Sequence, residues 1–168
     1  ARPRRVKLLQ LQLQAFGPFT GRTLDLAPAG QTLTLVHGPN EAGKSSTLRA
    51  IADLRFGIPH SSTDKFVHDY ADLRIGGVFL DARGERHGLM RRKGRGNTLA
   101  SVRFDTDPPT DEGPAPPDLV ALLTGGLSRE EHDAMFGLDH ARLRAGGEAL
   151  LQGEGEVGAA LFEASAGV

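Results

Sequence analysis

The stretch HGPNEAGKSSTLRAI, residues 37–51, decides the fold. It contains the pattern GxxxxGK[ST], a glycine-flanked loop that a lysine and a hydroxyl residue close. Gly38 and Gly43 allow backbone angles that turn successive amide N–H groups toward one anion. A helix beginning near Lys44 adds the positive end of its dipole. The stretch therefore predicts a phosphate-binding loop between a strand and a helix.

The residues of this loop have separate expected roles toward ATP and Mg²⁺. Lys44, the candidate catalytic residue, is expected to reach the β- and γ-phosphates of the nucleotide. The Ser45 hydroxyl is the candidate ligand of Mg²⁺. The candidate nucleotide-binding residues are Gly38, Pro39, Asn40, Glu41, Ala42, Gly43, Lys44, Ser45 and Ser46.

The composition is that of an ordinary globular domain and excludes several kinds of chemistry. Hydrophobic residues make up 39% of the 168 residues, and the formal net charge of −1 gives no general attraction to nucleic acid or an anionic membrane. The absence of cysteine excludes disulfides, thiolate catalysis and zinc–thiolate sites. No apolar run approaches the roughly 18 residues of a membrane span. We therefore expect a cytoplasmic protein with no membrane contact.

Strands are predicted by alternation and by β-branched runs. Residues 6–14 alternate Leu with Gln, as expected of a half-buried strand, and QTLTLVH at residues 31–37 is expected to lead into the phosphate-binding loop. A turn at residues 16–19 is expected to return the chain into a second short strand. The remaining strand predictions cover residues 73–80, 87–93 and 99–104.

Helical spacing is predicted from residue 44 to about residue 56, where Leu48, Ile51 and Ala52 share a face. Residues 105–118 contain five prolines and five acids and are predicted to form a flexible loop. Further helices are predicted after Ser128, which forms a capping box with Glu131, and over residues 148–151 and 157–166. The expected fold is a single α/β P-loop domain spanning residues 1–168, with an antiparallel β portion and C-terminal helices.

Two short strings imitate other motifs of P-loop enzymes. DARG at residues 81–84 follows an apolar run and resembles a Walker B aspartate, but its flanks favour a polar turn between two strands. LTGG at residues 123–126 resembles the signature of ABC-type ATPases. The plainer interpretation is a helix that ends at the two glycines before a new helix begins after Ser128.

Longer segments resemble the N-terminal ATPase lobe of SMC/SbcC-type proteins, and most specifically the YhaN-like AAA group of DNA-repair ATPases. LQLQAFGPFTGRTLDL at residues 11–26 and LTLVHGPNEAGKSSTLRAI at residues 33–51 are similar to this group in content and order. DLRIGG and GLDHARLRAGGEALL, within residues 56–85 and 135–167, are similar too. The resemblance covers nearly the whole chain except the Pro-rich segment.

The resemblance implies roles for several positions of this sequence. Gly38–Ser45 match the phosphate loop, with Ser45 at the Mg²⁺ position and Ser46 as a second hydroxyl beside the phosphates. Residues 14–19 match a turn that lies near the nucleotide. Related heads have a sensing glutamine at a place that corresponds to residues 138–140, where this chain has none. Either Asp139 or His140 stands in for that glutamine, or the position is structural.

The resemblance also implies partners. In SMC/SbcC-type proteins a coiled coil separates the first lobe from a C-terminal lobe, which supplies the signature, Walker B and the catalytic glutamate. Two such heads then dimerise on ATP. We therefore expect this chain to be a first lobe that binds nucleotide and hydrolyses it negligibly by itself. Its expected partners are its own C-terminal lobe, a second head, DNA and an SbcD-like nuclease.

Two alternatives from other functional classes stay open on the sequence. One is a self-sufficient nucleotide or small-molecule kinase that uses Asp81 as its Walker B carboxylate. The other is a DNA-binding module that uses the basic residues around Arg91 and Arg92. The competing interpretation of that basic patch is a solvated hairpin face. Its members are Arg83, Arg86, Arg91, Arg92, Lys93 and Arg95.

Overall fold

The computed structural model describes residues 6–27, 33–137, 144–145 and 147–148. The chain divides into two compact units, Ala1–Arg129 and Glu130–Val168. The first unit contains a sheet, two α-helices and the phosphate-binding loop. A third helix begins at the last residue of the first unit.

The sheet of the first unit has six strands in the order β2-β1-β3-β4-β5-β6, and every neighbouring pair is antiparallel. The predicted strands over residues 6–14, 73–80, 87–93 and 99–104 are confirmed to within two residues at each end. The strands are β1 (Lys7–Phe16), β2 (Phe19–Asp25), β3 (Arg74–Leu80), β4 (Arg86–Arg92), β5 (Leu99–Arg103) and β6 (Thr110–Pro114).

One face of the sheet carries α1 (Lys44–Phe56), which packs on β1, β3 and β4, and α2 (Pro117–Thr124), which packs beside α1. Gly77 makes this packing close, because a Cβ on it would lie 2.9 Å from Leu54 Cδ2. The alternation in β1 places leucines on this face. The core residues include Leu11, Leu13, Ala50, Leu54, Ile75, Leu89, Leu99 and Leu123.

The three residues predicted to share a face of α1 differ in burial. Leu48 is 41% exposed, and the buried positions include Ala50, Asp53 and Leu54, which recur at helical spacing along the side that faces the sheet. Ala52 is buried, and Ile51 is partly buried against the core. Leu48 therefore lies on the exposed side of α1, and the side that faces the sheet includes the charged Asp53.

The opposite face of the sheet is covered by the chain that follows β5. A Cβ on Gly76 would lie 2.6 Å from Phe104 Cζ, so this glycine lets the Phe104 ring cross the sheet closely. Gln12, on the same side, is buried and accepts a hydrogen bond from the Thr23 hydroxyl at 2.7 Å. The two glycines of RIGG therefore serve different faces of the sheet.

The Pro-rich segment is more ordered than predicted. Residues 110–114 form β6 at the edge of the sheet, and Ala115 is buried in the core with its N–H donating to Leu99 O at 2.9 Å. An edge strand tolerates Pro114 because proline removes a donor that an edge position does not need. The prediction of a loop over residues 105–118 is wrong for these residues and for the start of α2 at Pro117.

The predicted strand before the phosphate-binding loop is not formed. Residues 33–37, called here the lead-in segment, have no strand pairing, and residues 31–32 lie outside the described residues. Leu33 is 82% exposed and Leu35 is 81% exposed. One hydrogen bond, from the Thr34 hydroxyl to Leu26 O at 2.7 Å, ties the segment to the end of β2. The antiparallel portion of the expected fold is thus present without a strand before the loop.

In the second unit, the described residues are helical except Gly137, which follows the third helix. The third helix, α3 (Arg129–Phe136), begins one residue after Ser128, as predicted. Residues 144–145 and 147–148 are also helical, and Arg144 Nε donates to Glu148 Oε1 at 2.9 Å. The helix predicted over residues 157–166 lies outside the described residues.

Candidate nucleotide-binding site

The phosphate-binding loop ends where α1 begins, and Gly43 makes that junction. Gly43 has φ = 88°, in the left-handed region that favours glycine. A Cβ at this position would lie 2.4 Å from Phe19 Cζ and 3.0 Å from Pro18 Cγ. The turn between β1 and β2 therefore packs directly on the loop, and only glycine fits between them.

Lys44 is held over its own loop. Its Nζ donates to Gly38 O and to Pro39 O, each at 2.7 Å. The ammonium thus lies above the concave side of the loop, where phosphate oxygens would replace the two carbonyl acceptors. Among the described residues, the N–H groups of Lys44, Ser45 and Ser46 donate no hydrogen bond to another backbone carbonyl. These free donors at a helix start suit an anion.

The loop opens into a cleft of about 660 Å³. Pro39, Gly38 and Ala42 do not line it; their backbone holds Lys44 and closes the loop through the Ala42 N–H, which donates to Pro39 O at 3.3 Å. Pro18, of the turn at residues 16–19, lines this cleft, whereas Gln14 lines a separate cavity. The lining residues are Pro18, Asn40, Glu41, Gly43, Lys44, Ser45, Ser46 and Phe66.

An ion pair between the exposed Arg49 and the buried Asp64, which sequence reasoning missed, supports this cleft. Arg49 of α1 donates to Asp64 from Nε at 2.6 Å and from Nη2 at 2.8 Å, and the Asp64 side chain is 1% exposed. The same Nη2 donates to Ser46 Oγ at 3.1 Å. Ser46 is therefore buried against Arg49, so its hydroxyl is already engaged by the protein. In the sequence, only the polar run at residues 61–65 hinted that this loop has a role.

Gly17 completes this arrangement. Its N–H donates to Asp64 O at 2.8 Å, and a Cβ on it would lie 2.8 Å from Ser46 Oγ. Three separate segments thus meet behind the loop: the turn after β1, the first turn of α1 and the loop that carries Asp64. The fold brings them together without any continuous sequence motif.

The comparisons with known proteins agree with this geometry. A family model described as "AAA domain" matches residues 6–168. The chain belongs to this AAA domain family. A P-loop NTPase fold follows from that membership, and ATP with Mg²⁺ is the general cofactor of such domains. The free N–H groups, the Lys44 ammonium and the exposed Ser45 fit this ligand.

One similar protein shows how much of a longer relative this chain matches. "Uncharacterized protein YhaN" of Bacillus subtilis (strain 168) is 26% identical to this AAA domain over 141 residues. The aligned part is 80% of this chain and 13% of the relative, so the chain spans about an eighth of the relative's length. No solved structure matches the chain. Within the described residues, no helix is both long and apolar enough to span a bilayer.

Asp81 of the AAA domain is a turn residue, as its flanks predicted. Its Oδ1 accepts hydrogen bonds from the N–H groups of Arg83 at 2.8 Å and Glu85 at 2.9 Å. Its Oδ2 lies 3.4 Å from His87 Nε2. These bonds lower the pKa of Asp81, the Glu85 N–H most strongly. Asp81, Glu85 and His87 bring ligand atoms within 4.8 Å of one another, but both Asp81 oxygens are already engaged.

The LTGG string at residues 123–126, which resembles an ABC-type signature, also has a structural role. α2 ends at Thr124, and Gly125 and Gly126 follow with φ of 66° and 80°. The Gly125 N–H donates to Ala121 O at 3.1 Å, which closes the helix. The interpretation of LTGG as a helix end is therefore confirmed. Asp139 and His140, the candidates for the sensing position, lie outside the described residues.

The basic hairpin is only partly a solvated face. Arg91 is 8% exposed and lies under the C-terminus of α1, where it donates to Leu54 O at 3.1 Å and Arg55 O at 2.9 Å. Lys93 Nζ donates to Ile58 O at 3.0 Å. Burial lowers the pKa of Arg91 to about 10. Arg91 caps α1 and Lys93 binds the chain just beyond its end, so the solvated interpretation is wrong for them and holds for the exposed Arg92.

Asp53 is a second buried charge at the same end of α1. Its carboxylate accepts a hydrogen bond from Arg129 Nη2, and Arg129 Nη1 donates to Gly57 O at 2.9 Å. Burial raises the pKa of Asp53 to about 6, and the Arg129 guanidinium opposes this shift without cancelling it. The pair links α1 to the residue that begins α3.

Proposed function

We propose that this AAA domain is the ATP-binding N-terminal lobe of an SMC/SbcC-like ATPase whose hydrolysis needs groups from a C-terminal lobe and a second head. The observation that carries the proposal is an exposed phosphate-binding loop that follows an unpaired, apolar lead-in segment. The loop has the donors that hold a triphosphate. Among the described residues, Glu41 is the one carboxylate that lines the cleft, and none of the others there could complete a hydrolytic site.

The lead-in segment supports a composite head. Leu33 and Leu35 are more than four-fifths exposed, and Val36 is 46% exposed. A β-branched apolar run beside a binding loop is normally buried in a sheet, because exposing it forgoes roughly 1.5–3 kcal/mol for each large side chain. We infer that further strands of the same protein pair with this segment and cover it.

The carboxylates near the cleft also support a composite head. Hydrolysis of ATP needs a carboxylate that holds Mg²⁺ and a residue that orients the attacking water. In the part of the chain that the structure describes, the one carboxylate that lines the cleft is Glu41 of the loop itself. Asp81 lines a different cavity and its oxygens are bound within a turn. The self-sufficient kinase alternative therefore loses its Walker B residue.

The cellular role rests on the resemblance alone. We propose work in DNA repair or DNA end processing, with DNA and an SbcD-like nuclease as partners. Arg91 and Lys93 are engaged by backbone carbonyls at and just beyond the end of α1, so an isolated DNA-binding module built on the basic hairpin has lost its central residues. That alternative is not favoured by any contact in the described residues.

The test compares binding with turnover in the purified chain. We expect Mg²⁺-ATP to bind measurably by isothermal titration calorimetry and Lys44→Ala to weaken binding about 100-fold, since a lost charge-assisted contact is worth about 3 kcal/mol. Lys65→Ala, which removes an exposed lysine outside the cleft lining, is the matched control. Phosphate release should stay at the buffer background.

Two results would count against the proposal. Robust Mg²⁺-dependent turnover that disappears with Asp81→Asn would favour the self-sufficient enzyme. Equal ATP affinity in the wild-type chain and Lys44→Ala would remove the binding role of the loop.

A further inference from the structure

Phe66 is an aromatic side chain left in water at the rim of the cleft. Its side chain is 63% exposed. Among the residues that line the cleft, Pro18 and Phe66 are the two that belong neither to the phosphate-binding loop nor to α1. A nucleotide whose triphosphate occupies the loop must place its ribose and base beyond the loop. Pro18 and Phe66 are therefore the walls that the nucleoside meets.

We propose that Phe66 is the face on which the base of the bound nucleotide stacks. The inference rests on the proposed function, because it concerns the nucleoside end of the same cleft. A phenyl ring and a base bury flat apolar surfaces against each other, and such contacts in other proteins carry a substantial part of the binding energy.

Two anchors hold Phe66 in place along the turn between β1 and β2. On one side, the Gly17 N–H donates to Asp64 O at 2.8 Å. On the other, His68 Nε2 donates to Phe19 O at 2.8 Å and lies 3.0 Å from Thr20 Oγ1. Residues 65–67 are thus fixed at both ends to the turn that packs on Gly43.

A third anchor ties the same segment to the phosphate-binding loop. The Asp64 carboxylate binds Arg49 through two hydrogen bonds, and Arg49 also donates to Ser46 Oγ. Ser46 immediately follows the loop motif, so the position of Phe66 is set relative to the site of the phosphates. Because these bonds fix the backbone on both sides of Phe66 before the ligand arrives, only its side chain loses conformational freedom on binding.

Stacking on Phe66 is expected to add affinity without distinguishing one base from another. Every base has a π-face, so a phenyl ring accepts purines and pyrimidines alike. We expect changes at Phe66 to affect ATP and GTP to a similar degree. Inorganic tripolyphosphate, which has no base, should not sense this residue.

The experiment measures the affinity of the 168-residue chain for Mg²⁺-ATP and for Mg²⁺-tripolyphosphate by calorimetry. We expect Phe66→Ala to weaken ATP binding about tenfold and to leave tripolyphosphate binding unchanged. Phe66→Leu, which keeps apolar bulk but removes the π-face, should also weaken ATP binding. Phe66→Trp should retain it. Val67→Ala is the matched control, because Val67 is the next residue and is exposed, but does not line the cleft.

Phe66→Trp adds a spectroscopic readout. The chain contains no tryptophan, so the introduced indole is the single source of tryptophan fluorescence. Stacking predicts that ATP quenches this fluorescence and that tripolyphosphate does not.

The outcomes separate this inference from the proposed function. If Phe66→Ala leaves ATP affinity unchanged while Lys44→Ala abolishes it, the stacking role is wrong and the ATP-binding lobe stands. Equal loss of ATP and tripolyphosphate binding in Phe66→Ala would also overturn it, since that result indicates a structural role. If the wild-type chain binds neither ligand, the proposed function fails and this inference with it.

Discussion

The two ends of α1 are built in opposite ways. At the C-terminal end, the backbone carbonyls are bound by the buried Arg91, by Lys93 and by Arg129. At the N-terminal end, the first N–H groups have no backbone acceptor among the described residues, and Lys44 rests on carbonyls of its own loop. One end is closed by the protein and the other is left open to a ligand.

This difference separates stability from binding along a single helix. A helix end needs partners for its free N–H or C=O groups. Side chains supply them at the closed end, so substitutions there are expected to lower the free energy of unfolding. At the open end the proposed partner is the nucleotide, so substitutions there are expected to lower affinity.

The largest expected effect lies at the closed end. Arg91→Met should lower the free energy of unfolding by about 3 kcal/mol, because it leaves the buried carbonyl of Leu54 and the partly buried carbonyl of Arg55 without the guanidinium donor. Urea denaturation measures it. The exposed neighbour Arg92 provides the control, and Arg92→Met should stay within about 0.5 kcal/mol of the wild type.

The separation of stability from binding along α1 fails if Arg91→Met changes the affinity for ATP by more than about threefold while the protein remains folded. That result would show that the closed end also shapes the cleft.

The next effect is a pH dependence at the same end. Because burial raises the pKa of Asp53 to about 6, the folded state binds this proton more tightly than the unfolded state does. The stability that protonation contributes is therefore present below about pH 4 and is lost as the pH rises through 6. We expect the wild type to lose about 2–3 kcal/mol between pH 4 and pH 7 relative to Asp53→Asn.

Urea titrations of both proteins at four or five pH values measure this difference. Parallel stability profiles would show that the Arg129 ion pair keeps Asp53 charged throughout, contrary to this expectation.

The smallest expected effect uses two glycines at opposite ends of α1. Gly43→Ala should weaken ATP binding at least tenfold, about 1.4 kcal/mol, because its Cβ would push against the Phe19 ring beside the loop. Gly57 has the same positive sign of φ, at 104°, but no atom within 4 Å of an added Cβ. Gly57→Ala therefore carries the backbone strain alone and should leave ATP affinity unchanged. Calorimetry measures the ATP affinity of both variants, and an equal affinity in the two would show that the N-terminal end of α1 is no more important for binding than its C-terminal end.

The sequence predicted the elements whose signals are local. Alternation identified β1, helical spacing identified α1, and the glycines of GPNEAGKS identified the phosphate-binding loop. The flanks of DARG were enough to place Asp81 in a turn, which the hydrogen bonds of that turn confirm.

What the sequence did not predict depends on contacts between distant residues. Arg49 meets Asp64, and Asp53 meets Arg129 across 76 positions, so neither pair has a local pattern. In the sequence Arg91 is one of a run of cations, and its burial depends on the end of α1, whose carbonyls it binds. β6 was missed because the five prolines of residues 105–118 argue against a strand, although an edge position accepts the one proline that β6 contains, Pro114.

The lead-in segment has a thermodynamic consequence. It is continuous with the loop that faces the phosphates, yet its Leu33 and Leu35 side chains are in water. If further strands of the protein pair with it, they fix one side of the loop, and a nucleotide fixes the other. Linkage then requires reciprocity: whatever factor strand pairing adds to the affinity for ATP, ATP adds to the affinity for those strands. Nucleotide binding would thereby serve as an assembly signal before any hydrolysis takes place.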